Sequence, residues 1–106
     1  VIYYDDGSLK HVRNQTDGSW TEYRYDAENR LISVSPHEPK NGDLKVEFIY
    51  DYMNRRVKKS VFERGTGTWE LRYEKKFVYD GWKLVEEITV PANEEPSSRY
   101  YVWAST

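Results

Sequence analysis

The sequence predicts an all-β fold, an antiparallel meander of about eight strands arranged as successive β-hairpins. Three observations predict it. A Tyr-Asp phrase recurs four times, the residues between phrases alternate apolar and polar with a period of two, and Gly, Asn and Asp fall where hairpins must turn. Composition agrees. Ten Tyr, four Trp and three Phe give a core of rings that bury a face and keep a polar tip near water, a set that favours strands over helices. No stretch shows helical spacing.

The four phrases are Tyr3-Tyr4-Asp5-Asp6-Gly7-Ser8-Leu9, Tyr23-Arg24-Tyr25-Asp26 to Arg30-Leu31, Phe48-Ile49-Tyr50-Asp51 to Arg55-Arg56, and Phe77-Val78-Tyr79-Asp80 to Leu84. Their Tyr-Asp steps begin at 4, 25, 50 and 79, so the spacings are 21, 25 and 29 residues. A phrase that persists while its spacing stretches implies one fixed turn unit joined by hairpins of growing length. The 106 residues are read as a single repeat region with hairpin units at roughly 1–25, 26–50, 51–79 and 80–106.

Each strand has its own pattern. Leu44, Val46, Phe48 and Tyr50 share a face opposite Lys45 and Glu47. Trp69, Leu71, Tyr73, Phe77 and Tyr79 are expected on one face, opposite Glu70, Arg72, Glu74 and Lys76. Trp82, Leu84, Ile88 and Val90 form another apolar stripe, and Arg99 to Trp103 the last strand, after a solvated loop from Pro91 to Ser98. Asp17-Gly18, Asn41-Gly42 and Gly65-Thr66-Gly67 supply positive-φ hairpin positions.

The repeat chemistry is read from residue type. Tyrosine closes a strand with a large ring, its hydroxyl near solvent. The following aspartate opens the turn and accepts a backbone N–H about two residues on. Asn29 and Asn54 occupy the position that visits left-handed space, which Asn tolerates better than other non-glycine residues. Arg30 and Arg55 come next, expected to stack on a repeat tyrosine or to pair with a repeat aspartate of the adjacent hairpin. The repeat residues are therefore Tyr4, Asp5, Tyr25, Asp26, Arg30, Tyr50, Asp51, Arg55, Tyr79 and Asp80.

Tyr25-Asp26-Ala27-Glu28-Asn29-Arg30-Leu31, with Val34 behind it, resembles the YD repeat of RHS (rearrangement hotspot) proteins, teneurins and insecticidal toxin shells. Tyr50-Asp51-Tyr52-Met53-Asn54-Arg55-Arg56-Val57 and Phe77-Val78-Tyr79-Asp80-Gly81-Trp82-Lys83-Leu84 resemble forms common in bacterial RHS proteins, and Tyr101-Val102-Trp103 is similar to a continuation common in that family. The resemblance covers nearly the whole chain. It implies a sheet that curls into part of a hollow β-shell, in a larger exported or cell-surface bacterial protein or toxin. The aspartate-bearing self-cleavage motif that ends many such shells is not in the sequence, and Ala104-Ser105-Thr106 stand where a Gly-rich continuation is expected.

Other chemistry is scarce. With no cysteine there is no thiol nucleophile, disulfide or Cys-based zinc site. Sixteen basic and eighteen acidic residues give a net charge of −2, with no footprint for nucleic acid. No window is apolar enough for a spanning helix, so no membrane insertion is expected, and Val1-Ile2-Tyr3-Tyr4-Asp5 lacks the features of a signal peptide. His11 and His37 sit on different hairpins without a local ligand pattern and read as ordinary surface or turn residues. The doublets Asp5-Asp6, Glu86-Glu87 and Glu94-Glu95 point to opposite faces or into loops and make no dyads. No catalytic, cofactor or metal residue is assigned.

The expected role is a non-catalytic structural repeat module, without cofactor, whose partners are flanking repeats of the same parent chain. Open strand edges give a second expectation, closure into a small barrel or self-association as a homo-oligomer. The alternative role is a carbohydrate- or protein-binding module. For it Trp20 and Trp103 are the candidate stacking residues, while Trp69 and Trp82 are expected to face inward.

Overall fold

The computed structural model describes residues 2–3, 9–13 and 17–100, with Ile2 and Tyr3 described as backbone alone. Tyr4, Asp5 and Trp103 lie outside the described residues, as does most of the expected last strand. The strands are β1 (Ile2–Tyr3), β2 (Leu9–Arg13), β3 (Trp20–Tyr25), β4 (Leu31–Pro36), β5 (Leu44–Tyr50), β6 (Arg56–Arg64), β7 (Trp69–Asp80), β8 (Lys83–Pro91) and β9 (Ser97–Tyr100). They form one antiparallel sheet in strict sequence order, the all-β meander that the hairpin phrases predict. Among the described residues there is no helix, and so none long and apolar enough to cross a membrane. The sheet is open, β1 and β9 standing at its two ends, so barrel closure is not its solution.

The two faces carry different rows. Register places Tyr23, Val34, Val46, Val61, Tyr73 and Pro91 side by side across six strands. Directly opposed side chains on neighbouring strands pack as cross-strand pairs, so this row is the nearest thing to a core. Val61 lies in its middle and is, among the described residues, the one buried apolar residue (4% exposed). One step along each strand, on the other face, the row reads Arg24, Ser33, Glu47, Ser60, Glu74 and Val90. Ser33 and Ser60 are both buried. Small side chains at the centre of that row let the sheet bend toward it. The extents of 47 × 33 × 25 Å fit a coiled sheet, since a single flat layer would be about 10 Å thick.

Three β-bulges recur at one place in the phrase. The register shifts at Arg24/Tyr25, Ile49/Tyr50 and Val78/Tyr79, each time immediately before the repeat tyrosine. The extra residues on the partner strands are Ile32, Val57 and Val85. A bulge bends the ladder and re-aims the side chains beside it, and each repeat tyrosine stands beside one at the same place in its phrase.

The bulge at Val85 parts one expected stripe, leaving Leu84 opposite Tyr79 while Ile88 and Val90 lie on the other face, opposite Lys76 and Glu74. A fourth bulge overturns another. Between Val61/Phe62 the partner of β6 jumps from Tyr73 to Leu71, leaving Arg72 unpaired in that ladder. A one-residue slip exchanges faces. Trp69 and Leu71 therefore share the face of Ser60 and Glu74, whereas Tyr73, Phe77 and Tyr79 keep the opposite one. The freed Arg72 carbonyl is not wasted, since it accepts the Ala92 N–H at 3.0 Å.

Turn chemistry is close to expectation. Gly18, Gly42 and Gly67 all have positive φ. Gly42 sits third in a Lys40–Asp43 turn closed by Asp43 N–H to Lys40 O at 3.0 Å, and Asn41 has no positive φ. That is a type II arrangement within a longer loop and not a two-residue hairpin. The β7–β8 hairpin is the tight one. Asp80 pairs with Lys83, leaving Gly81 (φ 61) and Trp82 as its central residues, with positive φ at the first alone, as in a type II′ turn. Trp82 therefore sits on a hairpin tip, 67% exposed, and does not face inward at the head of a stripe.

Candidate functional site

The first two described phrases fold into one clasp. Asp26 N–H donates to Arg30 O and Asn29 N–H to Asp26 O; Asp51 with Arg55 and Asn54 with Asp51 repeat this. Asn29 and Asn54 hold the left-handed positions predicted for them, with φ of 64° and 63°. Asp26 Oδ1 accepts N–H groups from Glu28 and Arg30, both at 2.9 Å, and Asp51 Oδ1 accepts them from Met53 at 2.9 Å and Arg55 at 3.0 Å. The second carboxylate oxygen takes the arginine Nε of the same turn, at 2.7 Å in one clasp and 2.8 Å in the other. The predicted aspartate pairing is thus within a hairpin, not between hairpins.

The stacking is between hairpins. Arg30 lies 5.2 Å from the centre of the Tyr50 ring and donates from Nη1 to Asn54 Oδ1 at 2.8 Å. Arg55 lies 5.2 Å from the Tyr79 ring and donates from Nη1 to the Gly81 carbonyl. Tyrosine returns the contact. Tyr50 Oη donates to Leu31 O, and Tyr79 Oη to Arg56 O, both at 2.7 Å. The hydroxyls expected near solvent are instead strapped to the residue just after the preceding arginine. Tyr25 receives its cation from Lys10, 4.7 Å from its ring centre.

The electrostatics arise from these contacts. The Arg30 backbone N–H, and after it the Arg30 guanidinium and the Glu28 N–H, hold the Asp26 carboxyl below its ordinary value against the opposing effect of burial. For Asp51 burial is the largest influence and pushes upward, but the combined donors from Arg55 and Met53 bring the net shift down. Burial raises Tyr79, consistent with its strapped hydroxyl.

The bent face holds a groove of ≈ 700 Å³, lined among others by Ser33, Lys45, Ser60, Phe62, Trp69 and Glu74. Glu74 is lowered by Lys58 Nζ at 2.6 Å and by Ser60 Oγ at 3.2 Å. Lys45 and Arg64 sit 5.1 and 5.4 Å from the Trp69 ring centre, so that ring already has cations against it.

A second constellation escaped the sequence reading. His11 on β2 pairs directly with Glu22 on β3, and His37 comes directly after the end of β4. His11 Nε2 is 3.2 Å from Glu22 Oε1, and His37 Nδ1 is 3.5 Å from Glu22 Oε2. The imidazole centres are 4.5 Å apart. Trp20 is half-buried on the same face, edge-on to His11 at 6.4 Å, and its carbonyl accepts the His37 N–H at 2.9 Å. It is a packing residue of this cluster more than an open platform. Spacing in sequence gave no sign of it, because the three residues meet only through the registers of β2–β3 and β3–β4.

Compared with protein-family models, with curated proteins and with solved structures, the chain matches none.

Proposed function

We propose that the chain is a non-catalytic structural repeat module of the YD/RHS type, a segment of a β-shell belonging to a larger exported or cell-surface bacterial protein or toxin. The observation that carries this reading is the interlock of successive clasps. Each arginine caps the next tyrosine, and each tyrosine hydroxyl ties back to the preceding hairpin. Each unit closes on itself and is then tied to the next by a ring contact and hydrogen bonds, as the units of an array are and a self-contained pocket is not. β9 is exposed along all four residues, as suits a strand that continues pairing with a further repeat or with a second copy.

A binding role has one observation in its favour, the exposed rings of Tyr52 (91%) and Trp82 (67%) on turns at the same end of the sheet. The two readings separate in one titration. Tryptophan emission recorded against a panel of soluble oligosaccharides stays flat for a structural module, whereas a saturable change lost in Trp82→Ala makes the chain a binding module. Array character has its own test. Double-mutant cycles between Arg30 and Tyr50 and between Arg55 and Tyr79 return favourable coupling, while Tyr25 and Tyr79 behave additively. Coupling between the distant pair as strong as between neighbours removes the array reading.

A further inference from the structure

We propose that His11, Glu22 and His37 form a binding site for a divalent transition-metal ion of the zinc type, with three protein ligands and a remaining position for water. Two imidazoles and one carboxylate are a donor set suited to such an ion. One ligand atom from each residue lies within 4.8 Å of the others. His11 Nε2 stands 3.2 Å from Glu22 Oε1 and His37 Nδ1 3.5 Å from Glu22 Oε2, so each imidazole nitrogen faces its own oxygen of the one carboxylate, at a spacing near the about 3.3 Å between ligands of a tetrahedral ion bound at ordinary Zn–N and Zn–O lengths.

The site is built by the sheet. His11 and Glu22 are cross-strand partners, which fixes their side chains on one face, and His11 is buried (5% exposed). The His37 backbone is pinned by its N–H to Trp20 O, and the edge of the Trp20 ring limits rotation of His11. Little rearrangement is needed to close three ligands on an ion, and the more exposed His37 leaves a path of entry. One group competes. Arg24 Nη2 stands 3.5 Å from Glu22 Oε1, with more than half of its side chain in water, and must swing away when the ion binds. This placement would bridge the second and third strands to the loop after the fourth, a staple at the end of the sheet away from the clasps.

Titration of the chelator-treated 106-residue chain with zinc chloride by calorimetry is the test, with Co²⁺ absorption as a second probe. One ion per chain is expected, together with a rise in melting temperature. His37→Ala, an exposed position, and Glu22→Gln each weaken binding about tenfold or more. Arg24→Gln tightens it, because the competing cation is gone, a change that a merely structural cluster has no reason to produce. In imidazole ¹⁵N spectra of the unaltered chain, His11 and His37 move together with zinc. No saturable uptake, uptake that both ligand variants leave unchanged, or movement of one histidine alone overturns the proposal.

Discussion

The clasps at 26–30 and 51–55 and the turn at 80–83 begin with the same Tyr-Asp step and end differently. The first two take five residues for the turn, with Asn in the left-handed position and Arg as the last residue, folded back onto its own aspartate. The third closes in two residues, Gly81 and Trp82, and supplies no arginine. Yet Tyr79 is held as Tyr50 is, by an arginine over its ring and by its hydroxyl on the preceding strand. The invariant part of the repeat is therefore the receiving part, the tyrosine and the bulge before it. The donating part, Asn and Arg, is present in the clasps at 26–30 and 51–55 and gives way to Gly81 and Trp82 in the turn at 80–83. Gly81 also shows what replaces a side-chain acceptor. Arg30 reaches Asn54 Oδ1, whereas Arg55 reaches the Gly81 carbonyl, main chain doing for one clasp what an amide side chain does for the other.

If the receiving tyrosine is the constant, removing it is the most damaging change. Tyr79→Ala strips a half-buried ring from beneath Arg55 as well as a hydrogen bond, and should cost about 2–3 kcal/mol. Tyr79→Phe keeps the ring and should cost about 1 kcal/mol. Urea denaturation of the two variants measures the split. Equal losses would mean that the ring contributes nothing beyond carrying the hydroxyl, and the comparison between the clasps would lose its basis.

Next in size is the asymmetry between the two asparagines. Both hold left-handed backbone, so Asn29→Ala should cost about 1 kcal/mol. Asn54→Ala should cost more, about 2 kcal/mol, because its amide oxygen also receives Arg30. Glycine sharpens this. Asn29→Gly should be near neutral, while Asn54→Gly still loses the bond between hairpins. Identical effects at the two sites would show the Arg30–Asn54 contact to be inconsequential.

Gly81→Ala probes the third turn. A Cβ there meets nothing within 4 Å, so the cost is conformational alone, about 1 kcal/mol for an alanine held at φ 61. Thermal unfolding that is unchanged would mean that the hairpin relaxes to another turn type, freeing Trp82 from its tip.

Much of this was legible in the residues. Period-two alternation and turn residues determine strands and their order, and Tyr-Asp with a later Asn-Arg announces the clasp down to its left-handed residue. The misreadings of strand faces come from register, that of Trp82 from turn type, and those of the tyrosine hydroxyls and the aspartate partners from side-chain contacts in and between the turns. The bulge at Arg72 moves Trp69 and Leu71 to the face opposite Tyr73, and nothing in the identity of Arg72 announces it. Trp82 looks like the head of a stripe until Gly81 takes the type II′ position and leaves it on a tip. The two histidines, far apart in sequence, converge on Glu22 because two neighbouring ladders happen to bring them there. Local chemistry is written in local sequence; coincidences across strands are written in the pairing.

The smallest effect concerns acid. Asp26, Asp51 and Glu74 all titrate below their ordinary values in the folded chain, so the unfolded chain binds protons more readily than the folded one. Their contribution is present in full above the ordinary carboxylate values of 3.8 and 4.5 and is lost as pH falls through the lower folded values. Denaturation midpoints measured from about pH 6 to about pH 3 should therefore stay level at first and then fall. Asp51→Asn should lower the plateau and flatten the fall together, because the clasp loses the charge that Arg55 and the Met53 N–H stabilise. Glu74→Gln should do the same through Lys58 on the grooved face, outside any clasp. If only the glutamate variant flattens the curve, the acid sensitivity belongs to the groove, and the clasps hold by their backbone hydrogen bonds alone.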